Sequence, residues 1–261
     1  LLYCNACYNR LMKYLVVANW KMNPATWRDA KKLFEATKKA ADHAKNITVV
    51  VAPPALYLRE LRSRYKGKRV AFAIQHAHFE PKGPFTGEIS LAQAKDTGVS
   101  YAIIGHAERR ALGESNDDTR KKIATALAAN ITSILCVGEN KRSSDGTYFT
   151  VIKEQLRIGL ADVVPSQLKR IIITYEPLWT IGGNTTMSPR DMHEMVIFIR
   201  KTIVELCGEK GMKVKILYGG SVDETNAEAM LHNGDVHGLL VGRASEDAEK
   251  FSALMNSIAY A

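Results

Sequence analysis

Apolar, β-branched runs recur along the chain, beginning near Tyr14, Ile47, Val70, Tyr101, Thr132, Ile171, Lys215 and Val236. Each is short and almost continuously apolar, the pattern of a strand covered on both faces in a parallel sheet. Between the runs the period lengthens to that of a helix. Trp27, Ala30, Phe34, Thr37 and Ala41 share one helical face, as do Met192, Met195, Val196, Ile199, Ile203 and Leu206. Eight strand-and-helix units in 261 residues predict an α/β chain folded as one closed (β/α)8 barrel, eight parallel strands ringed by helices.

No Pro/Gly/Ser-rich linker divides the chain, so residues 12–261 read as a single domain. Residues 1–11 read as an irregular N-terminal extension or tag, since they carry two cysteines and no apolar core of the kind a signal peptide needs. No stretch approaches the roughly 18 apolar residues that would span a bilayer, and no membrane association is expected. Cys4 and Cys7 form a lone C-x-x-C without a second pair, too little for a zinc site. Cys136 falls in a strand and Cys207 in a helix, where burial is the ordinary fate of a thiol. Four scattered cysteines are no disulfide framework and read as residence in a reducing cytoplasm. The net charge of +9 raises the question of nucleic acid. However, the basic residues are spread over helices without interleaved aromatics, and Lys31, Lys32, Lys38 and Lys39 read as one helix's wet face. No nucleic-acid partner is expected, although a positive field helps attract an anionic substrate.

Three strand ends carry candidate chemistry. The run Ile171–Tyr175 leads straight into Glu176, Pro177, Leu178 and Trp179, and then into Gly182 and Gly183. A carboxylate followed by a stiffened, anchored and then flexible segment is how a hinged lid beside a general base is written. A glutamate at an arbitrary strand end is as readily a solvated loop residue, and it is the Pro-x-Trp segment that favours the base. Leu15–Ala18 leads into Asn19 and Lys21, and Tyr101–Ile104 into His106, Glu108 and Arg109. A lone histidine is more often a structural hydrogen-bonding group, and a lysine more often a surface charge. Here each follows a strand directly, where such barrels keep their chemistry. Asn19, two residues before Lys21 on an extended chain, lies on the same side and can orient a ligand with its amide.

Together with Tyr218–Val222 and Leu240–Ser245, these motifs closely resemble the triosephosphate isomerase family, in the right order from Tyr14 to the C-terminus. The resemblance implies a TIM barrel that interconverts dihydroxyacetone phosphate and D-glyceraldehyde 3-phosphate without metal or organic cofactor, in glycolysis and gluconeogenesis. It assigns Glu176 as the base, His106 as the electrophile that moves protons between substrate oxygens, and Lys21 as the cation for the enediolate. The resemblance also implies that His106, opening a helix, is kept neutral by that helix's positive end. Asn19, Gly182, Ser221, Gly242 and Arg243 are implied substrate contacts, the phosphate falling mainly to main-chain donors. Glu108 is implied to support the lysine and Arg109 to be structural. The segment Gln75–Glu88 resembles the loop that reaches into a second subunit, with Thr86 entering the partner's site, so a homodimer is implied.

The chain departs from the family pattern at several places. Ala107 stands where serine is usual and lacks a hydroxyl that would hold the base when the lid is open. The lid's second hinge reads Asn184–Ser188 in place of a Gly-Lys-Thr-Ala-Thr type. Arg243 replaces a glycine, with its N–H retained and its side chain expected to point outward. His76 replaces an asparagine, and with His78 it would suggest a metal if taken alone. Two other readings stay open: isomerisation of a four-carbon ketose phosphate by the same residues, and a phosphate-binding scaffold without catalysis. Retention of Asn19, Lys21, His106 and Glu176 speaks against the scaffold, because binding needs no base.

Overall fold

The computed structural model describes residues 14–180 and 186–259; the extension at residues 1–11 lies outside them. Eight strands, β1 (Tyr14–Asn19), β2 (Ile47–Ala52), β3 (Val70–Ile74), β4 (Tyr101–Ile104), β5 (Thr132–Val137), β6 (Ile171–Tyr175), β7 (Lys215–Tyr218) and β8 (Gly238–Val241), follow one another around a closed barrel. Every ladder is parallel, and β8 returns to β1 with Leu15 opposite Gly238 and Ala18 opposite Val241. All eight expected runs are strands. The last starts at Gly238, two residues later than the apolar pattern suggests, because Val236 is buried ahead of the ladder.

Side-chain alternation divides the apolar residues into two cores. Leu15, Val17, Val50, Ala52, Ala73, Ile103, Ile134, Cys136, Ile172, Leu217 and Leu240 fill the barrel interior. Tyr14, Val16, Ala18 and their counterparts face outward and pack under the helices. Strand residues are therefore apolar on both faces, which is why the runs show no polar alternation. Of the expected helical faces, Ala30, Phe34, Thr37 and Ala41 are buried, with Trp27 packed at the edge. Met192 through Ile203 are likewise buried, but Leu206 is 39% exposed in the last turn before the chain leaves the helix at Gly208. Ser115 and Ser188 cap the helices Asn116–Ala128 and Pro189–Cys207, so the chain's path out of the His106 loop and into the helix after residues 181–185 is fixed by side-chain acceptors. Among the described residues no helix is long and apolar enough to cross a membrane.

At the opposite end of the barrel, His237 joins the last two strands. Its Nδ1 accepts the Ile216 N–H at 3.3 Å and its carbonyl accepts the Leu15 N–H at 3.0 Å. Burial, then the Arg200 charge, hold its pKa below the ordinary 6.5. The folded chain thus binds a proton there less readily than the unfolded chain, so stability is lost as pH falls below the unfolded value. The midpoint of thermal unfolding is expected to drop more steeply between about pH 7 and pH 5 in the wild type than in His237→Gln. Parallel pH profiles for the two proteins would remove His237 from this role.

Candidate active site

Where the strands end, the alternation that fills the barrel brings polar groups to its mouth. Asn19 continues the inward series Leu15, Val17 on β1, Gln75 continues Ala71, Ala73 on β3, and Glu176 continues Ile172, Thr174 on β6. Lys21 follows at φ 50°, in the left-handed region. Its strained backbone is held from two sides: its N–H donates to Asn19 Oδ1 at 3.1 Å, and Gln75 Nε2 donates to its carbonyl at 2.8 Å. The Lys21 ammonium meets Glu108 Oε1 at 2.6 Å. Across the mouth, Ser245 Oγ donates toward the Asn19 carbonyl at 3.2 Å and the Gly242 carbonyl at 2.7 Å, tying the end of β8 to that of β1. A Cβ on Gly242 would stand 3.1 Å from Lys21 Cε, so the lysine crosses bare backbone.

His106 caps the five-residue helix Ala107–Ala111. Its tautomer is set by an N–H of that helix's first turn. The Glu108 N–H donates to His106 Nδ1 at 3.2 Å, so that nitrogen is unprotonated and a neutral ring carries its hydrogen on Nε2. That Nε2 lies 3.5 Å from Glu176 Oε1.

Glu176 is 1% exposed. Its Oε2 accepts the Ala107 N–H at 2.9 Å, a main-chain donor that does not depend on the side chain at residue 107. Its Oε1 has no hydrogen-bond partner among the described residues. A buried carboxylate oxygen left without a partner is open to a ligand. Two glycines make room for it: a Cβ on Gly138 would lie 1.8 Å from the Glu176 carbonyl oxygen, and one on Gly219 would lie 3.0 Å from Glu176 Cγ. Beneath it, burial and then the Glu176 charge push the Cys136 thiol well up, so it stays protonated and is no nucleophile.

Past Glu176 the chain makes a turn at Leu178–Thr180. Trp179 Nε1 donates to Glu139 Oε1 at 2.9 Å, and the Tyr175 hydroxyl donates to the same oxygen at 2.7 Å. Glu139 is 2% exposed and anchors the turn that follows Glu176. It was not singled out from sequence, although a glutamate just after β5 has the same placement as Glu176 after β6. Gly182 and Gly183, with Asn184 and Thr185 of the altered hinge, lie outside the described residues; on the far side Met187 is buried.

A cavity of about 260 Å³ opens at this mouth, walled by Asn19, Lys21, His106, Ser221, Gly242 and Arg243 among others. Of the expected residues it unites these six, while Glu176 stands just behind the wall and Glu108 touches it through Lys21 and His106. Arg243 corrects the sequence reading: its guanidinium turns inward, with Nη2 3.5 Å from Ser221 Oγ. Thr86 is exposed at the tip of its loop. The histidines of that loop have structural partners. His76 Nε2 is 3.0 Å from Glu88 Oε2, and the His78 ring stacks on Phe79 and Phe85 at 4.4 and 4.2 Å.

A closed parallel barrel with a lysine, a histidine and an orphaned carboxylate at the carboxyl ends of its strands defines a barrel enzyme of the acid–base type. The triosephosphate isomerase family model matches residues 14–258. The triosephosphate isomerase of Endomicrobium trichonymphae is 42% identical over 94% of this chain and 98% of its own length, and that of Aquifex aeolicus 38% over 94% and 100%. The crystal structure of triosephosphate isomerase from Bartonella henselae superposes with a TM-score of 0.83 at 32% identity, covering 94% of this chain and 99% of that one. The chain belongs to the triosephosphate isomerase family.

The histidine loop itself rests on Glu114, which sequence reading passed over. Glu114 accepts the Gly105 N–H at 2.8 Å and the Lys122 ammonium at 2.7 Å, with His76 Nδ1 at 3.5 Å and Arg109 Nε at 3.7 Å. Burial pushes its pKa up, but the hydrogen bonds from His76 and Lys122, with the Lys122 charge and the Gly105 N–H, bring it down to about 2. Both Glu114 and Lys122 are buried, so Glu114→Gln strands an ammonium and is expected to cost about 3–5 kcal/mol of stability. Urea unfolding measures this, and adding Lys122→Met should recover part of the loss. If Glu114→Gln alone is neutral, the pair does not hold the loop.

Proposed function

We propose that this chain interconverts dihydroxyacetone phosphate and D-glyceraldehyde 3-phosphate, with Lys21, His106 and Glu176 as its catalytic residues. The observation that carries the reading is the orphaned Oε1 of buried Glu176, 3.5 Å from His106 Nε2 at the edge of a triose-sized cavity. Glu176 takes a proton from substrate C1 as the carbonyl oxygen on C2 gains negative charge. The Nε2–H of neutral His106 donates to that oxygen, and the Lys21 ammonium lowers the energy of the enediolate. His106 then moves protons between the two oxygens, and the protonated Glu176 returns its proton to C2. No electrons leave the substrate and no organic cofactor or metal takes part. To reach a carbon in the cavity the carboxylate rotates off the Ala107 N–H, and Gly219 leaves the space for that rotation.

The same reading gives the phosphate to main-chain donors at Gly182, Ser221, Gly242 and Arg243, and the orientation of the substrate to Asn19. Closure of the lid beyond Trp179 excludes water and strengthens every charge interaction inside. Residues 12–261 form the catalytic domain, preceded by the extension at 1–11. Glycolysis and gluconeogenesis are where the activity serves. A chain whose described cysteines are free suits a reducing cytoplasm.

Two outcomes test the base. Glu176→Gln keeps the shape and removes the acceptor, and is expected to lower kcat by about 10²–10⁴-fold or more with inhibitor binding little changed. Turnover should be measured with dihydroxyacetone phosphate and erythrulose phosphates side by side, and a clear preference for the four-carbon substrates would overturn the triose assignment.

The chain works as a homodimer through the Gln75–Glu88 loop. Met22 (91% exposed) and Leu112 (76%) flank the lysine and histidine loops, and Phe85 stands 39% exposed beside Thr86. Large apolar side chains displayed around a catalytic mouth are suited to cover by a second copy. Thr86→Arg places a bulky charge in that contact. The variant is expected to be a monomer with activity lowered by about 10²-fold or more, although each barrel keeps its own catalytic residues. Light scattering and turnover on one sample decide it, and a fully active monomer would sink the idea.

A further inference from the structure

Several arginines of this chain have their guanidinium groups committed. Arg110 spends all three nitrogens on the Gly105 carbonyl at 2.7 Å, Asn116 Oδ1 at 2.7 Å and the Cys136 carbonyl at 3.2 Å. Arg120 and Arg157 are paired with carboxylates. Arg243 is different. It helps wall the 260 Å³ cavity, and its one hydrogen bond among the described residues, to Ser221 Oγ, is long at 3.5 Å. It makes no ion pair with a described carboxylate. Asp223, on the same wall, is already committed to its own turn through the Thr225 N–H and hydroxyl at 2.9 and 2.6 Å.

An arginine fork with free donors, turned inward over a cradle of backbone N–H groups, is shaped for a planar pair of anionic oxygens. We propose that the Arg243 guanidinium is itself a substrate ligand, closing the phosphate cradle by donating two charge-assisted hydrogen bonds to non-bridging oxygens of the phosphoryl group. The proposal rests on the reading that this cavity holds a phosphorylated substrate, and adds a side-chain ligand to the main-chain donors named above. Ser221 Oγ keeps the fork in register at the rim, so the guanidinium reaches the phosphate by a small shift. Both protonation states of a phosphate monoester fit the cradle, but the fork favours the dianion, which offers two charged oxygens at once. The side chain is exposed, so its contribution weakens as added salt screens it.

The test uses the full-length protein, with inorganic phosphate as the calorimetric probe and triose phosphate turnover beside it. Arg243→Gly is expected to weaken inorganic phosphate about tenfold and to raise KM to a similar degree, while kcat changes by less than about twofold. Arg243→Lys keeps the charge and loses the fork, and should recover only part of the affinity. Lys250→Met removes another cation from the same cavity wall and should weaken phosphate by less than about threefold. A loss below about threefold in Arg243→Gly, equal losses in Arg243→Gly and Lys250→Met, or no phosphate binding by the wild type each overturns the proposal. Failure of the isomerase reading looks different: the wild type would bind phosphate in an Arg243-dependent manner yet turn over no triose phosphate.

Discussion

Closing eight parallel strands into a ring forces every second side chain inward, and most of what the molecule does descends from that constraint. Deep in the barrel the inward positions are apolar and interlock, from Leu15 and Val17 to Leu217 and Leu240. At the carboxyl ends of the strands the same positions run out of neighbours across the axis. They become Asn19, Gln75 and Glu176, with Gly105, Gly219 and Gly242 where backbone has to be bare. The site is therefore the last layer of the core, written in polar residues. Its precision is inherited from packing below it, since no loop has to fold independently to aim Asn19 or Glu176.

Glutamates at the strand ends show how environment divides one chemistry into several tasks. Glu108 is exposed and pairs with Lys21, leaving the ammonium oriented yet in contact with solvent. Glu114 is buried among donors and is held ionised as a structural anion under the histidine loop. Glu139 gives one oxygen to two aromatic donors and fastens the lid's first turn. Glu139 and Glu176 are each buried with one oxygen that has no hydrogen-bond partner among the described residues. Neither burial nor a missing partner therefore singles out a base here. The difference that favours Glu176 is position, since its oxygen faces His106 Nε2 at the edge of the cavity while Glu139 is tied up behind Tyr175 and Trp179.

The barrel was legible in the sequence because both faces of its strands are buried, which gives runs that no other element of this length imitates. Lys21, His106 and Glu176 were legible because each follows such a run directly, and the structure brings Lys21 and His106 onto one cavity with Glu176 at its edge. Other features depended on contacts distant in sequence. Glu114 reads as an ordinary loop glutamate until Lys122, His76 and Gly105 are seen around it. Gln75 was noted only as the start of a loop, though it holds the Lys21 carbonyl. The inward turn of Arg243 follows from a neighbour 22 residues away, and side-chain direction at a rim has no signature in periodicity. At His106 the helix start acts through one group, the Glu108 N–H of its first turn, which no sequence pattern singles out.

Main-chain groups hold side chains in this way across the site. The hydroxyl missing at Ala107 would have been one of two donors to the resting base, and the N–H that remains is fixed by the start of the helix whatever side chain residue 107 carries. The tautomer of His106 is likewise set by an amide, and Lys21 is positioned through its own carbonyl and N–H. Backbone donors and acceptors survive any substitution that preserves the path of the chain. Side chains at the rim are free to vary on that foundation. A residue such as Arg243 can therefore line the cavity without disturbing Lys21, His106 and Glu176, the groups proposed to carry the reaction.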